Sequence, residues 1–244
     1  MKKKQRIDTL LVQYGFFASR ERAKRAVMAG QVSIKGYPSI KPGQLVSEHT
    51  AFIIHETDRY ASRGGDKLEG AVNAFDLCVK DAIALDIGAS TGGFTDCLLQ
   101  YGAQKVYAVD VGKSLLAESL CTDPRVIQID KSNARYMQAD DIPELVDIIT
   151  MDVSFISIKK IIPVVIQFLK PGGMLLPLVK PQFEVGKENV GRKGVVRDKK
   201  LISNLLQDMI KFCHSLSLDV YGQVRSPITG PAGNREYLLW VVKV

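Results

Sequence analysis

Leu85-Asp86-Ile87-Gly88-Ala89-Ser90-Thr91-Gly92-Gly93-Phe94-Thr95 carries two changes of backbone state within eleven residues. The apolar run from Ala82 to Ile87 predicts a buried strand, the small residues after it predict a tight turn, and Phe94-Thr95-Asp96-Cys97-Leu98-Leu99 predicts the start of a helix. A strand that enters a Gly-rich turn and then a helix is suited to a ligand. Glycine lets the backbone approach closely, and the unpaired N–H groups of the first helical turn face outward. A second apolar run, 105–110, ends in Asp110, about 20 residues on, where an acidic side chain commonly takes a ribose hydroxyl. The turn is not a dinucleotide fingerprint, because Ala89-Ser90-Thr91 separates Gly88 from Gly92 where G-x-G-x-x-G is required. A G-x-x-x-x-G-K-[ST] phosphate loop is also absent from the chain.

Around this stretch, strand-like and helix-like patterns alternate. Strands are expected at 82–87, 105–110, 126–129, 147–152 and 174–180, and helices near 93–101, 113–121, 158–168 and 198–215. The last two strands, 219–225 and 236–243, read as an antiparallel pair. Asp66 is placed to cap a helix running to about Phe75, with Leu68, Ala71, Val72 and Phe75 inward. The alternation predicts an α/β sheet with helices on both faces. The Gly88–Gly92 turn, with Asp86 before it and Asp110 after, resembles motif I of class I S-adenosylmethionine-dependent methyltransferases. That resemblance implies a Rossmann-like sheet in which a parallel run is finished by a terminal hairpin.

Charge is spread unevenly over the 244 residues. Residues 1–60 hold eleven Lys/Arg against five Asp/Glu, a net of +6, while 61–244 hold 22 against 21, so nearly all of the overall +7 lies in the first quarter. A basic segment beside a near-neutral one suggests that the former holds a polyanion. The longest uncharged apolar runs, such as Ile161 to Leu169, are about half the ~20 residues needed to span a bilayer. No apolar signal core follows Met1-Lys2-Lys3-Lys4, so a soluble, cytoplasmic protein is expected. Cys78, Cys97, Cys121 and Cys213 are scattered, which fits reduced core residues better than disulfides or a metal site.

In the basic segment, Ile7, Leu10, Leu11 and Tyr14 repeat at helical spacing, and Gly15 is a stop. Ser19 is an N-cap for a second helix, Arg20 to Ala29, that keeps Ala23, Ala26 and Val27 inward. Short strands follow at 31–36 and 51–55. The stretch RIDTLLVQYGFFASRERAKRAVMAGQVSIKG, 6–36, resembles the alpha-L RNA-binding domain of a ribosomal small-subunit protein and of many RNA-modifying enzymes. The resemblance implies that Arg6, Ser19, Arg20, Arg22, Lys24, Arg25 and Lys35 face structured RNA, positioning its backbone and reading little sequence. Domains are expected at 1–58 (alpha-L, small α+β) and 66–244 (methyltransferase), joined by a linker at 59–65 that ends in a Gly64-Gly65 hinge.

Four charged residues sit where an open α/β sheet gathers its strand ends, the side on which such sheets bind ligands. Asp152 closes one strand, Lys180 ends the next, Glu236 opens the last, and Lys67 lies just past the two glycines. One bland role for the lysines is structural ion pairing, since a lysine buried without a partner is costly. The other role is chemical: ribose 2′-O-methylation removes a hydroxyl proton while the oxygen attacks a methyl sulfonium in line. An ordinary lysine is protonated at pH 7; a neighbouring ammonium and desolvation favour its neutral form, and neighbouring carboxylates oppose this.

SRGGDKLEGA, DIGASTGGFTDCLLQ, VYAVDVG, DVSFISI, LVKPQFE and GNREYLLW occur in an order that resembles the FtsJ-like ribose 2′-O-methyltransferases. With the alpha-L segment in front, nearly the whole chain is similar to the TlyA (hemolysin-A-like) family of ribosomal RNA cytidine-2′-O-methyltransferases, acting on 16S RNA, 23S RNA or both. The resemblance implies a catalytic tetrad of Lys67, Asp152, Lys180 and Glu236 with Lys180 as base. It implies S-adenosyl-L-methionine contacts from Asp86, Gly88, Ala89, Ser90, Thr91, Gly92 and Asp110, with Asp130 or Asn133 near the adenine. Ribosomal RNA or a ribosomal subunit is the implied partner, with neither a membrane nor a metal. The Gly-rich basic segment 183–198, with Arg192 and Lys193, is a candidate RNA-facing lid or a solvated loop. Competing functions are a non-catalytic RNA-binding protein of the same fold and the membrane lysis in the family's older name. Neither the target nucleotide nor the oligomeric state follows from the residues.

Overall fold

The computed structural model describes residues 4–17, 19–28, 30–37, 39–54 and 59–244, and the side chain of Arg25 lies outside the described set. The chain divides into two compact units, Met1–Arg59 and Tyr60–Val244.

The first unit is α+β: Lys4–Arg6 (β1), Ile7–Gln13 (α1), Arg20–Met28 (α2), Val32–Ile34 (β2), Leu45–Ser47 (β3) and Phe52–Ile54 (β4). β1 pairs with β3 and β2 with β4, both antiparallel. Ile7, Leu10 and Leu11 of α1 pack against Ala23, Ala26 and Val27 of α2 and against Val32, Ile34 and Val46. Ser19 Oγ accepts the Arg22 N–H at 3.3 Å, the N-cap expected from its position. Tyr14, which continues the helical spacing of Ile7, Leu10 and Leu11, is 46% exposed just past the end of α1. Its ring lies against Phe16 and Phe52, and its hydroxyl donates to the Glu48 carbonyl. Residues 29 and 55–58, which hold the expected end of the second helix and the approach to the linker, lie outside the described residues.

The second unit is built on one seven-stranded sheet. Its elements are Gly64–Phe75 (α3), Ile83–Ile87 (β5), Gly93–Gln100 (α4), Lys105–Val109 (β6), Glu118–Cys121 (α5), Val126–Ile129 (β7), Val146–Met151 (β8), Ile162–Val165 (α6), Leu169–Val179 (β9), Pro181–Glu184 (α7), Lys199–His214 (α8), Leu218–Arg225 (β10) and Tyr237–Lys243 (β11). The strand order is β10-β11-β9-β8-β5-β6-β7. Neighbours from β9 to β7 are parallel, and β11 runs antiparallel to both β9 and β10. This is the Rossmann-like sheet with a terminal hairpin that the alternation and motif I predict. Side chains alternate between two buried faces, as a parallel sheet covered on both sides requires. Leu85, Ile87 and Ile149 pack with Ile202, Leu205 and Met209 of α8, while Ala84 and Ile148 pack with Leu68 of α3 and Leu98 of α4.

Several expected boundaries move. The helix expected at 113–121 forms only over Glu118–Cys121, and 158–168 breaks into short turns around α6. Pro163 has no N–H to continue a ladder, so it starts a new turn there. The expected cap, Asp66, lies inside α3, which begins at Gly64; Ser62 Oγ accepts the Gly64 N–H at 3.3 Å. The expected linker 59–65 is built into the second unit from Tyr60 onward. Tyr60 is 3% exposed, and the Ala61 N–H donates to Asp96 Oδ2 at 2.7 Å. Gly64 and Gly65 are the first turn of α3, where the expectation was a hinge. A Cβ on Gly65 would stand 2.1 Å from the Tyr60 ring, so this pair serves close packing. Of the cysteines, Cys97 and Cys213 are buried as expected, and Cys78 and Cys121 are exposed. No helix among the described residues is long and apolar enough to cross a membrane.

Candidate active site

The chain leaves β5 through Gly88 at φ +80°, and the N–H groups of Gly88 and Ala89 both reach the Val109 carbonyl at the end of β6. A Cβ on Gly88 would stand 2.7 Å from the Asp152 carbonyl oxygen, so the turn closes against the end of β8 only with glycine. Beside this turn lies a cavity of about 310 Å³ at the carboxyl ends of β5, β6 and β8. Its polar lining includes Gly88, Ser90, Asp110, Ser132, Asn133 and Asp152. Asp110 organises the rim: its Oδ2 accepts the Ser90 N–H and its Oδ1 the Gly112 N–H, at 2.9 and 2.8 Å. Each carboxylate oxygen can accept a further donor. Asn133 Oδ1 accepts the Arg135 N–H at 3.1 Å.

The other expected cofactor residues do not line the cavity. Asp86 is fully buried, and its oxygens accept the hydroxyls of Thr95 and Thr150 at 2.7 and 2.8 Å, joining β5, α4 and β8. Burial pushes Asp86 up to about 6, against the two hydroxyl hydrogen bonds. Ala89 is buried, and Thr91 is exposed with its carbonyl accepting the Ala117 N–H. Gly92, at φ +95°, opens α4 where a Cβ would meet Leu120 at 2.1 Å. Asp130 accepts from Gln128 Nε2 and the Ser114 N–H, which hold its carboxyl below the usual range.

Lys67, Asp152, Lys180 and Glu236 come together beside the cavity. Asp152 follows β8, Lys180 follows β9, Glu236 precedes β11, and Lys67 lies in the first turn of α3. Tyr237 pairs with Val179, so the antiparallel register brings Glu236 and Lys180 to the same end of the sheet. Lys67 Nζ lies 2.7 Å from Glu236 Oε2 and 3.6 Å from Asp152 Oδ2. Lys180 Nζ lies 2.5 Å from Asp152 Oδ1 and 2.9 Å from Ser154 Oγ. Asp152 therefore bridges two lysines and lines the cavity itself. The side chains of Lys67, Asp152, Lys180 and Glu236 are 9%, 19%, 9% and 1% exposed, and their formal charges balance.

An apolar wall was not read from the sequence as part of the site: Val111, Leu115, Val153, Phe155, Ile156 and Ile161. Apolar residues in a loop carry no periodic signal that would single them out. Phe155 is 91% exposed at φ +64°, an uncommon conformation for a bulky residue, and its ring centroid lies 5.2 Å from that of Phe183. Glu184 fixes this loop by accepting Ser157 Oγ at 2.6 Å and the Ile158 N–H at 2.9 Å; burial pushes its carboxyl up.

The first unit contains a second charged cluster. Arg6 donates through Nε and Nη2 to the two oxygens of Asp8 at 3.0 and 2.7 Å, and Arg20 Nη2 lies 3.4 Å from Asp8 Oδ2. Asp8 is buried, and the Arg6 hydrogen bond is the main cause holding its carboxyl down at about 2. Arg22, Lys24 and Lys35 are exposed, and Ser19 is engaged as a cap. Arg192 and Lys193 are exposed and line a separate cavity.

Residues 60–243 match the family described as FtsJ-like methyltransferase. The chain belongs to the FtsJ-like methyltransferase family. Within it, the chain is 42% identical to the 16S/23S rRNA (cytidine-2′-O)-methyltransferase TlyA of Mycobacterium tuberculosis, over 99% of this chain and 91% of that one. It is 47% identical to YqxC of Bacillus subtilis, which has a provisional rRNA methyltransferase designation, over 97% of this chain and 85% of that one. A solved structure from Streptococcus thermophilus with a provisional hemolysin designation is 42% identical, with a TM-score of 0.77 over 100% of this chain and 90% of that one. The FtsJ-like match starts at Tyr60, the first residue of the second compact unit.

Proposed function

We propose that this protein is an S-adenosylmethionine-dependent methyltransferase that modifies the ribose 2′-hydroxyl of cytidine in ribosomal RNA. The observation that carries this reading is the assembly of Lys67, Asp152, Lys180 and Glu236 at one sheet edge, beside a cavity suited to a nucleoside. The fit to S-adenosylmethionine rests on the cavity itself: a glycine turn that no side chain can enter, a rim carboxylate at Asp110, and apolar walls. Gly88, Ser90, Asp110 and Asn133 would hold the nucleoside part. When bound, S-adenosylmethionine supplies an electrophilic methyl group, so the chain has only to position the acceptor and manage one proton.

Lys180 Nζ, held by Asp152 and Ser154, is placed to orient the 2′-hydroxyl and, in its neutral amine form, to receive its proton. Lys67, itself held by Glu236, fixes Asp152 from the other side, and with both lysines protonated the cluster is formally neutral, which limits the cost of burying it. Phe155 offers an exposed ring beside the cavity on which an unstacked base can rest. The first unit, with Arg22, Lys24 and Lys35 exposed and Arg6 and Arg20 fixed by Asp8, docks folded RNA through its backbone. Such an enzyme would work in the cytoplasm.

The test is tritiated methyl transfer from S-adenosylmethionine to purified unmethylated 30S and 50S subunits. Label is expected in one or both subunits, with Lys180→Ala slower by at least about 100-fold at unchanged cofactor affinity. Full transfer by Lys180→Ala would remove the proposed role of the tetrad.

A further inference from the structure

Two neighbouring cavities of the second unit lie outside the site described above. One, of about 390 Å³, is lined by Arg197, Lys199 and Arg235 beside Val196, Ile202 and Gly233. The other, of about 440 Å³, is lined by Arg192, Lys193 and Arg197 beside Asn189 and Gly191. They meet at Val195 and Arg197, which line both. Five cations face this groove and no carboxylate lines it. All five are exposed, and among the described residues none is paired with a carboxylate. Of the two acids in residues 187–200, Asp198 is engaged as the cap of α8, accepting the N–H groups of Lys200 and Leu201, and Glu188 Oε1 accepts Asn189 Nδ2 at 3.2 Å. Residues 187–200 hold six Lys/Arg against two Asp/Glu, a net of +4; the rest of 61–244 holds 16 against 19, a net of −3. The near-neutral charge of the second unit therefore hides a concentrated basic patch.

The groove is tied to the tetrad through Asn234, which is 1% exposed. Asn234 Oδ1 accepts the Val196 N–H at 2.9 Å, and Nδ2 donates to the Gly194 carbonyl at 2.7 Å. The next two residues are Arg235, in the groove, and Glu236, in the tetrad. The turn wraps Glu236 closely: a Cβ on Gly230 would stand 2.4 Å from Glu236 Oε1. The segment 183–198 is thus clipped to the turn that carries Glu236 into β11.

We propose that this groove holds the phosphates of the RNA strand flanking the reacting nucleotide, and that Asn234 fixes the groove's distance from Glu236. The proposal rests on the RNA methyltransferase reading. Unpaired guanidinium and ammonium groups in a concave surface suit phosphate oxygens, and the absence of a lining aromatic suits backbone positioning without base readout. A lipid surface fits less well, because no large apolar side chain of 186–220 or 226–243 is exposed.

The experiment measures binding of the full chain to purified unmodified ribosomal subunits over a series of KCl concentrations, and methyl transfer to the same subunits. Arg197→Ala combined with Lys199→Ala is expected to weaken binding about 10- to 100-fold. The slope of log affinity against log salt should become shallower by roughly 0.7–0.9 for each phosphate that the variant no longer neutralises. KM for RNA should rise in step, with kcat within about threefold of the original. Arg197→Lys combined with Lys199→Arg should retain the slope, and Lys211→Ala on the exposed face of α8 should change nothing. Unchanged affinity and slope in the alanine pair would overturn the proposal, as would a loss of kcat at unchanged KM. Intact subunit binding with lost binding to phosphatidylglycerol vesicles would assign the groove to a lipid surface and also overturn it. If the unaltered protein transfers no methyl to either subunit, the methyltransferase reading fails; affinity and salt slope need no turnover and still decide the groove.

Discussion

Both units gather cations around a carboxylate, and they do so at opposite extremes of burial. In the first unit Asp8 is buried, while the side chains of its partners Arg6 and Arg20 are 48% and 57% exposed. In the second, two lysines and two carboxylates lie together, none more than 19% exposed. A cation that keeps half its surface in water can accept a second anion. A cation held by carboxylates on the dry side of a cavity has little freedom except to act on what enters the cavity. The first arrangement suits docking on a polyanion and the second suits chemistry at a fixed point.

The sharpest way to break this comparison is to remove one carboxylate from each cluster. Glu236→Ala leaves Lys67 buried with only the 3.6 Å contact to Asp152, and a stability loss of about 3–5 kcal/mol is expected. Asp8→Ala frees two arginines that rehydrate in place, and about 1–2 kcal/mol is expected. Denaturant unfolding of both variants checks the order; equal losses would show that burial does not separate the clusters.

The two units also respond to pH with opposite signs. Asp8 is held down at about 2, so its contribution is present above the ordinary carboxylate pKa and is lost as pH falls through about 4 toward 2. Asp86 is pushed up to about 6, so the folded state favours its neutral form. Its contribution is greatest below about pH 4 and falls as pH rises through 6, by roughly 2–3 kcal/mol. Unfolding free energies of the whole chain and of Asp86→Asn between pH 4 and 7 test this: the decline should vanish in the asparagine variant, and an unchanged decline would assign it elsewhere.

The smallest effect is expected at Phe155. Phe155→Gly relieves a left-handed backbone position and removes an exposed ring, so stability should rise by up to about 1 kcal/mol while methyl transfer falls. A stability gain with undiminished transfer would remove the ring from the site.

Much of the second unit was legible because each strand and turn states its own geometry. The Gly88 turn needs glycine for a close approach, and Asp152, Lys180 and Glu236 fall at strand ends that the sheet order must gather. The packing of Tyr60 onto Gly65 was not legible, because Gly64-Gly65 reads equally as a hinge or as a helix that a ring crowds. Asp86 sits in the expected motif, but its oxygens turn to Thr95 and Thr150, partners nine and 64 residues away in the chain. The pairing of β1 with β3 leaves no mark in the sequence, because three-residue strands carry too little alternation to register.

Local patterning alone determined the order of strands in the second unit, the glycine turn, the basic first segment and the residues available for chemistry, because period, turn chemistry and charge are properties of neighbours in the chain. The tertiary structure decided which of those residues meet: Lys67 with Glu236 across 169 positions, Asn234 with Val196 across 38, and Asp86 with Thr150 across 64. Distances of this kind depend on sheet register and side-chain packing, which no local window contains.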